Sequence, residues 1–338
     1  MRAYQFDQFG VENLRITERP DPMPGPDEVL VDVRAISLNY RDVLVLRGHY
    51  NPKLRLPATP VSDGAGVVLA VGANVREVTV GQRVVGQFVT AWRDGPFRSE
   101  YVGSTLGCPG PGLAAERVAL PAAAVLPIPA GYDFAEAATL PIAALTAWSA
   151  LVTEGRVAPG QTVLALGTGG VSIFALQLGK ALGARVVITS ASDEKLARAA
   201  AHGADVGINY RTSPEWERAV LDATGGQGVD VTVETGGIGT LDRSLRCTRG
   251  GGVIAMLGAL TGLQGPINLS FVLMKRLRIA GIMVDSLARF HEMNAFLARH
   301  AIRPVIDRRF DFWDLPAALA YMQSGSHFGK IVAVRNTQ

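Results

Sequence analysis

Cysteine is scarce in this sequence, since 338 residues contain only Cys108 and Cys247. Two cysteines cannot form the four-thiolate lobe that holds a structural zinc ion, and they provide no disulfide framework. Histidine is scarce as well, and its five copies, at positions 49, 202, 291, 300 and 327, show no spacing typical of metal ligands. These absences indicate a reducing compartment and point away from a metalloprotein.

Long apolar runs and blocks of like charge are also absent. No segment approaches the roughly 18 uninterrupted apolar residues of a membrane-spanning helix, and Asp7 interrupts the apolar start of the chain. The 33 basic and 30 acidic residues are spread along the sequence, with a formal net charge of +3. We therefore expect no nucleic-acid or membrane partner. We expect a cytoplasmic protein whose 48% of hydrophobic residues can build two domains.

The first third of the chain has the pattern of a β domain. Residues 29–35 and 66–71 are short valine-rich runs bounded by proline and glycine. Residues 101–121 contain four glycines and three prolines without a period, which predicts a loop. Residues 133–153 are rich in Ala and Leu at helical spacing, with Pro141 as a break, and mark the passage to a second domain.

From Gln161 onward, strand-like and helix-like segments alternate. The strand-like segments are TVLALG, RVVITS, VGINY, VDVTVET and GGVIAML, and helical patterns of about 10 residues separate them. This alternation predicts βαβ units, a parallel sheet and right-handed crossovers. The second domain is therefore expected to be a doubly wound α/β sheet of the nucleotide-binding kind.

A glycine-rich turn follows the first of these strands and precedes an amphipathic helix. It consists of Gly167, Thr168, Gly169, Gly170 and Val171. Glycines permit the tight turn and let backbone amides approach a pyrophosphate at the positive end of the helix. Ser172 stands where the usual motif has its third glycine, and its small side chain still allows close packing. The turn predicts a dinucleotide site, the alternative being a strand-to-helix turn without a ligand.

The end of the second strand bears on the choice between NADPH and NADH. An NAD enzyme usually carries an acidic residue there that binds the adenosine ribose. RVVITS ends without one, and Ser190, Ser192, Lys195 and Tyr210 offer hydroxyls and a cation suited to a 2′-phosphate. Asp193 lies nearby, but a helix capped by Ser192 explains its position without a ligand. The pattern favours NADPH over NADH.

Further motifs are spread over nearly the whole chain: SLNYRDVLVLRGHY, TPVSDGAGVVLAVG, VGQRVVG, AATLPIAALTAW, GTGGVS, LGARV, GADVGINYR, GGQGVDVTVET and GKIV. Together they resemble the quinone-oxidoreductase-like branch of the medium-chain dehydrogenase/reductase superfamily. The resemblance implies a GroES-like catalytic domain over residues 1–125 and a Rossmann NADP-binding domain over 126–270. It also implies a segment, 271–338, that forms an edge strand and returns to the first domain, with the cofactor in the cleft between the domains.

The same resemblance predicts that no metal is bound. Zinc alcohol dehydrogenases of the superfamily use a cysteine, a Gly-His-Glu motif and a later cysteine or acidic residue. In this chain Asn39 falls at the first cysteine, and Ser62 and Asp63 replace the His-Glu pair. An amide and a hydroxyl are poor ligands for Zn²⁺. The expected reaction is hydride transfer from NADPH to an acceptor that is already electrophilic, a quinone or an α,β-unsaturated carbonyl.

The resemblance also implies the site residues, with Asn39, Tyr40, Arg41 and Tyr50 lining the space for the acceptor. Asn39, Tyr40 and Tyr50 are the catalytic candidates, and either tyrosine would donate to the enolate oxygen unless it only stacks and solvent supplies the proton. Additional cofactor-binding candidates are Arg41, Thr146, Thr235, Gly236, Gly258 and Lys330. The alternative for Thr146 is an interior hydroxyl bonded to the preceding helical turn. The alternative for Lys330 is a solvated side chain.

Three further expectations concern the surroundings of the site. Trp92 and Phe97 lie in an insert that either caps the acceptor pocket or folds back onto its own domain. Residues 277–284 predict an edge strand that pairs across a two-fold axis in a homodimer, as in similar proteins. Two other functions stay open, an alcohol dehydrogenase of the same superfamily and a non-catalytic NADPH-binding protein of the crystallin type.

Overall fold

The computed structural model describes residues 1–336, so the last two residues of the predicted segment 271–338 lie outside the described part. The strands are β1 (Arg2–Gln5), β2 (Arg15–Glu18), β3 (Glu28–Ser37), β4 (Asp63–Val71), β5 (Arg83–Gly86), β6 (Arg117–Pro121), β7 (Val125–Pro127), β8 (Thr162–Ala165), β9 (Arg185–Ser190), β10 (Val206–Asn209), β11 (Val229–Glu234), β12 (Thr248–Met256), β13 (Arg278–Gly281), β14 (Ile306–Asp311) and β15 (Lys330–Val334).

The α-helices are α1 (Tyr40–Leu46), α2 (Phe134–Ala138), α3 (Leu145–Trp148), α4 (Gly170–Ala181), α5 (Asp193–Ala201), α6 (Trp216–Ala223), α7 (Ile238–Cys247), α8 (Ser270–Met274), α9 (Leu287–Arg299) and α10 (Leu315–Gln323). Short 3₁₀ helices cover Val11–Asn13, Ser99–Ser104 and Ala122–Ala124, and π-helical segments cover Leu140–Ala144 and Ser149–Glu154. Within residues 1–336, none of these helices has the length and apolarity needed to cross a bilayer.

The chain folds into two compact units. The first contains Met1–Ala143 and the described residues from Ser286 onward, and the second contains Ala144–Asp285. These units divide the chain after residues 143 and 285, whereas the predicted boundaries are after residues 125 and 270. Two features accompany this difference. Helix α2 packs against β3 and β4 of the first unit, and β13 completes the sheet of the second unit.

A mainly antiparallel sheet forms the centre of the first unit. Its strand order is β14-β15-β3-β4-β5-β7, and β6 pairs with β3. The predicted strands at residues 29–35 and 66–71 are confirmed as parts of β3 and β4. The predicted loop at 101–121 is wrong at its end, because Arg117–Pro121 forms β6. Val118 and Leu120 alternate there with more exposed residues, a pattern too short to stand out beside a glycine- and proline-rich stretch.

The second unit is built on a parallel sheet. Its strand order is β10-β9-β8-β11-β12-β13, which is the doubly wound order of dinucleotide-binding domains, so the predicted α/β fold is confirmed. Strand β13 lies at the sheet edge, as predicted for residues 277–284. The direction of winding reverses between β8 and β11, and ligands of such sheets bind beyond the carboxyl ends of the strands at this point.

The helical stretch predicted at residues 133–153 is present but interrupted. Helix α2 ends at Ala138, and Pro141 lies in the π-helical segment that follows. Proline has no N–H to donate to the regular helical ladder, which explains the change of hydrogen-bond pattern.

Candidate functional site

The glycine-rich turn of the second unit lies between β8 and α4. Gly167 has a φ of +75°, which favours glycine, and its N–H donates to Oγ1 of Thr189 at 3.1 Å. The first hydrogen bond of α4 runs from Ile173 N to Gly169 O at 3.0 Å. The N–H groups of Gly170 and Val171 therefore precede the helical ladder, where an anion can accept from them.

Ser172 confirms that a small residue is tolerated in place of the third glycine. Its side chain is buried, and its hydroxyl donates to Leu166 O at 2.6 Å. The polar atom is thus satisfied without displacing the helix. Thr168 is buried in the same turn.

A second turn, after β11, lies beside the first. Thr235 Oγ1 donates to Leu166 O at 2.9 Å, which joins the two turns directly. The buried carboxylate of Glu234 accepts from Gly236 N at 2.8 Å and Gly237 N at 3.1 Å. Glu234 is not among the predicted site residues, although a charged residue at the end of an apolar strand was a usable signal. Its role is to hold the backbone of this turn in one conformation.

Gly258 follows β12 and lies close to the backbone of Thr235 in the second turn. A Cβ on this residue would lie 2.2 Å from the backbone oxygen of Thr235, so no larger residue fits without movement. The structure therefore brings Thr235, Gly236 and Gly258 together beside the glycine-rich turn.

The residues proposed for a 2′-phosphate also lie together, at the carboxyl ends of β9 and β10. Ser190 Oγ accepts from Ser192 N, and Ser192 Oγ accepts from Lys195 N, both at 3.3 Å. Tyr210 N donates to Ser190 O at 3.0 Å, and the Tyr210 side chain is 44% exposed. Asp193 lies in the first turn of α5, which Ser192 caps, so its predicted structural role is confirmed.

Thr146 of α3 also belongs to the second unit. Its side chain is 5% exposed. Both its predicted contact with the cofactor and the alternative of a bond to the preceding helical turn stay predictions.

Asn39 is the centre of a buried polar cluster in the first unit. Its Nδ2 donates to Asp63 Oδ2 at 2.8 Å, its Oδ1 accepts from Lys330 Nζ at 2.7 Å, and its backbone N–H donates to Asp42 Oδ2 at 2.8 Å. Asp42 was missed, although Asn and Asp three residues apart at the start of a helix resemble a capping box. Both ends of the Asn39 amide are thereby fixed.

Lys330 is not solvated, and that alternative is wrong. The side chain is 3% exposed, and Nζ also donates to Leu38 O at 2.7 Å. Strand β15 lies between β14 and β3, which places its first residue inside the unit. The predicted contact of Lys330 with the cofactor stays a prediction.

Burial dominates the electrostatics of this cluster. It raises the pKa of Asp63 to about 7, against the opposing effect of the Lys330 charge. Burial also raises the pKa of Asp42 and lowers that of Lys330. The charged forms of these ionisable groups are therefore less stable in the cluster than they would be in water.

Arg41 lies on α1 beside the cluster. Its guanidinium lies 4.3 Å from the ring centre of Tyr50 and 4.8 Å from that of Phe88. Nη1 donates to Leu106 O at 3.1 Å and to Ser62 Oγ, and Nη2 donates to Cys108 O at 2.6 Å. Tyr40 and Tyr50 are 40% and 39% exposed. The structure thus gathers the predicted residues Asn39, Tyr40, Arg41 and Tyr50 around α1.

The positions that correspond to zinc ligands do not suit a metal ion. The oxygen of Asn39 accepts from the Lys330 ammonium, and the Ser62 hydroxyl is bonded to Arg41. A dication here would meet the positive charges of Lys330 and Arg41, and the Asn39 amide and Ser62 hydroxyl are neutral ligands, whereas zinc prefers thiolate, imidazole and carboxylate. The carboxyl group of Asp63 already accepts a hydrogen bond from Asn39. Among residues 1–336, no three His, Cys, Asp or Glu side chains converge on a common point.

The insert with the predicted pocket aromatics packs on its own unit. Trp92 is 8% exposed, and its ring centre lies 5.2 Å from that of Phe97 and 6.1 Å from that of Tyr101. Trp92 O accepts from Leu287 N, at the start of α9, at 3.0 Å. These contacts favour the folded-back alternative for Trp92. Phe97 is 42% exposed, and its contact with an acceptor stays a prediction.

Comparisons with known proteins match both units. A family model for the alcohol dehydrogenase GroES-like domain matches residues 25–130, and a model for zinc-binding dehydrogenases matches residues 170–299. A zinc-type alcohol dehydrogenase-like protein of Schizosaccharomyces pombe is 40% identical over 97% of this chain and 95% of its own length. A quinone oxidoreductase of Pseudomonas aeruginosa is 33% identical over 81% of this chain and 78% of its own length.

Solved structures of dehydrogenases and quinone oxidoreductases are also similar to this chain. The structure of an alcohol dehydrogenase candidate from Sinorhizobium meliloti has a TM-score of 0.93 and 39% identity, and 98% of each chain is covered. The structure of the Escherichia coli quinone oxidoreductase complexed with NADPH has a TM-score of 0.85 and 24% identity, over 99% of this chain and 100% of that one, which shows a shared fold. From its two matched domains and these relatives, this chain belongs to the medium-chain dehydrogenase/reductase superfamily of oxidoreductases.

Proposed function

We propose that this protein is a reductase that transfers hydride from NADPH to a quinone or an α,β-unsaturated carbonyl without a catalytic metal. One observation carries the proposal: the oxygens of Asn39 and Ser62, at the positions of zinc ligands, accept hydrogen bonds from the cations Lys330 and Arg41. Without a Lewis acid, activation of a saturated alcohol is difficult, whereas quinones and enones are electrophilic already.

The second unit would bind the dinucleotide. The N–H groups of Gly170 and Val171 are suited to a pyrophosphate, and the turn held by Glu234 and Thr235 lies beside them. The dinucleotide supplies the hydride. Ser190, Ser192, Lys195 and Tyr210 would bind a 2′-phosphate, which supports NADPH over NADH. The NADPH bound to the E. coli quinone oxidoreductase agrees with this assignment.

The first unit would bind the acceptor. Tyr40 and Tyr50 are exposed enough for their hydroxyls to donate to an acceptor oxygen, and Asn39, whose amide is held by hydrogen bonds, precedes Tyr40 at the start of α1. Either tyrosine, or solvent, would deliver the proton that completes reduction. The exposed ring of Phe97 would contact the apolar part of the acceptor.

An assay with defined metal content tests the proposal. Chelator-treated protein should oxidise NADPH with a panel of quinones and enones, and added zinc should leave the rate unchanged. Oxidation of primary and secondary alcohols by NADP⁺ that depends on zinc would establish the alcohol dehydrogenase alternative, with which the name of the S. pombe relative agrees. Tight NADPH binding without turnover of any acceptor would establish a non-catalytic binding protein.

The same proposal includes a homodimer formed through β13. This strand has a neighbour on one side within the six-stranded sheet, and the segment that precedes it, residues 269–274, carries exposed apolar side chains. Leu269, Leu273 and Met274 are 58%, 74% and 85% exposed, and Ile279 on the strand itself is 37% exposed. An open strand edge with apolar surroundings suits pairing with a second copy across a two-fold axis.

A further inference from the structure

We propose that the guanidinium of Arg41 binds the carbonyl oxygen of the acceptor and stabilises the negative charge that forms there during hydride transfer. The inference rests on the proposed reductase function and deepens it, because it names the group that takes over the electrostatic role of a metal. It assigns Arg41 to the acceptor and not to the cofactor.

The charge of Arg41 is not neutralised by a bonded carboxylate. Its acceptors are the carbonyl oxygens of Leu106 and Cys108 and the hydroxyl of Ser62. Ser62 in turn donates to Asp42 Oδ1 at 3.2 Å. Burial raises the pKa of the Asp42 carboxyl, and the Arg41 charge acts on it through space in the opposite direction, lowering that pKa. Within residues 1–336 no carboxylate forms a direct ion pair with the guanidinium. Arg335 of the same unit differs, since it forms an ion pair with Asp32. The positive charge of Arg41 therefore remains available to an anionic oxygen.

The guanidinium also keeps unused hydrogen-bond donors. Nε is buried and has no acceptor within the described part of the chain, and Nη2 uses one of its two hydrogens, on Cys108. A buried donor left unsatisfied destabilises the folded protein, and more so when it is charged. Such a group in a folded protein calls for an explanation, and an acceptor oxygen that arrives with the substrate supplies one.

The position of the guanidinium suits this task. The rings of Tyr50 and Phe88 and the two carbonyls hold its plane in one orientation before any acceptor binds. Donors fixed in advance need no reorganisation as charge develops, which is the main source of electrostatic catalysis. Its partner Ser62 corresponds to a zinc ligand, so the cation lies next to the place where relatives would carry a metal charge.

The reaction balances with this assignment. Hydride, with two electrons, adds to the β-carbon of the enone and forms a C–H bond, while the nicotinamide is oxidised to NADP⁺. The π pair of the C=C bond moves to the bond between the α-carbon and the carbonyl carbon, and the π pair of the C=O bond moves to oxygen, so that the enolate oxygen carries the charge beside Arg41. A proton from a tyrosine or from solvent then completes the saturated carbonyl product.

Variants of Arg41 test the assignment in turnover. Arg41→Gln should lower kcat with an enone by about 10² or more, the usual effect of losing one such donor, with unchanged affinity for NADPH. Added guanidinium ion should restore part of the rate. The control is Arg83→Gln, since Arg83 also donates to a carbonyl, that of Tyr132, and stacks on Phe134. Unchanged kcat in Arg41→Gln, or an equal loss of NADPH affinity, would overturn the assignment.

A measurement without turnover separates the two proposals. Bound para-nitrophenol mimics the enolate, and Arg41 should lower its pKa, so that phenolate absorbance increases when wild-type protein is added. Arg41→Gln should abolish the increase, and Arg83→Gln should retain it. If wild-type protein reduces no acceptor yet gives this Arg41-dependent shift, the reductase function fails and the anion site stands. If it reduces enones and the shift is absent or unaffected by the substitution, the assignment of Arg41 fails.

A second variant tests the role of Arg41 if Arg41→Gln does not fold. Circular dichroism and thermal unfolding establish whether Arg41→Gln is folded. If it is not, Arg41→Lys is used, because lysine keeps the charge but cannot reach both carbonyls with one planar fork. A folded Arg41→Lys protein with unchanged kcat and an unchanged nitrophenol shift would refute the need for the guanidinium; a decrease in both supports it.

Discussion

Nδ2 of Asn39 donates a 2.8 Å hydrogen bond to Oδ2 of Asp63, a carboxyl group with no exposed surface. Oδ1 of the same carboxyl has no hydrogen-bond partner within residues 1–336. Since burial raises the pKa of Asp63 to about 7, its charge changes in the neutral range. The residue at the first zinc-ligand position is therefore bonded to a group that titrates near physiological pH.

The substitution Asp63→Asn should change how stability depends on pH. The pKa of Asp63 is 3.8 in the unfolded chain and about 7 in the folded one, so the folded state binds more protons between these values. Wild-type stability should therefore fall, relative to the variant, as pH rises from about 4 to 7, by roughly 1–4 kcal/mol in total. Urea unfolding at several pH values measures the difference.

The asparagine also removes a favourable charge from Lys330, whose pKa is already lowered by burial. The pKa of Lys330 should therefore fall further in the variant, and a lowered lysine pKa makes stability rise with pH, the sign opposite to that of Asp63. Asp94→Asn, at an exposed aspartate of the same unit, is the control and should follow the wild-type curve. If the free energy of unfolding changed with pH in the same way in wild type and Asp63→Asn, this would show that Asp63 does not titrate between pH values of about 4 and 7.

Lys195→Ala should discriminate between the two nicotinamide cofactors. Loss of a charged hydrogen bond to the 2′-phosphate costs about 1.5–3 kcal/mol, which corresponds to a rise of about ten- to a hundredfold in the KM for NADPH. The KM for NADH should change little, and steady-state kinetics with both cofactors measures this. Arg218→Ala, which removes an exposed cation paired with Glu215, should alter neither constant. Equal effects of Lys195→Ala on both cofactors would refute the assignment of NADPH.

Gly258→Ala should weaken dinucleotide binding and lower stability. Its Cβ would lie 2.2 Å from Thr235 O, so the turn joined to the glycine-rich motif must move. Fluorescence titration with NADPH and thermal unfolding measure the two effects. Gly250→Ala is the matched control, because its Cβ meets no atom closer than 3.7 Å. Equal behaviour of the two variants would contradict the proposed role of this turn.

Ile279→Lys should separate the proposed dimer. A charge on the edge strand would have to be buried in the interface, whereas Val80→Lys places one on an exposed residue, 61% accessible, of the first unit. Sedimentation velocity at micromolar concentration should give a dimer for wild type and Val80→Lys and a monomer for Ile279→Lys. A monomeric wild-type protein, or a dimeric Ile279→Lys protein, would refute the interface.

Much of the second unit could be predicted from local pattern. Alternating strand and helix segments, the turn from Gly167 to Val171 and the edge strand near residue 279 all depend on spacing within about 30 residues. Thr235 and Gly258 could be grouped as well, because the carboxyl ends of neighbouring parallel strands meet at one edge. The supporting carboxylate of Glu234 was overlooked, since its four donors become apparent only after the turn has folded.

The sequence by itself determined the fold class, the dinucleotide motif and the residue types at the zinc-ligand positions, because each follows from the order of nearby residues. Tertiary structure alone decided the surroundings of Lys330 and Arg41. Lys330 meets Asn39 across 291 positions of sequence, and Arg41 meets Cys108 across 67. No local pattern encodes such pairs, since burial, unpaired donors and shifted pKa values arise only when distant strands and loops exclude water together.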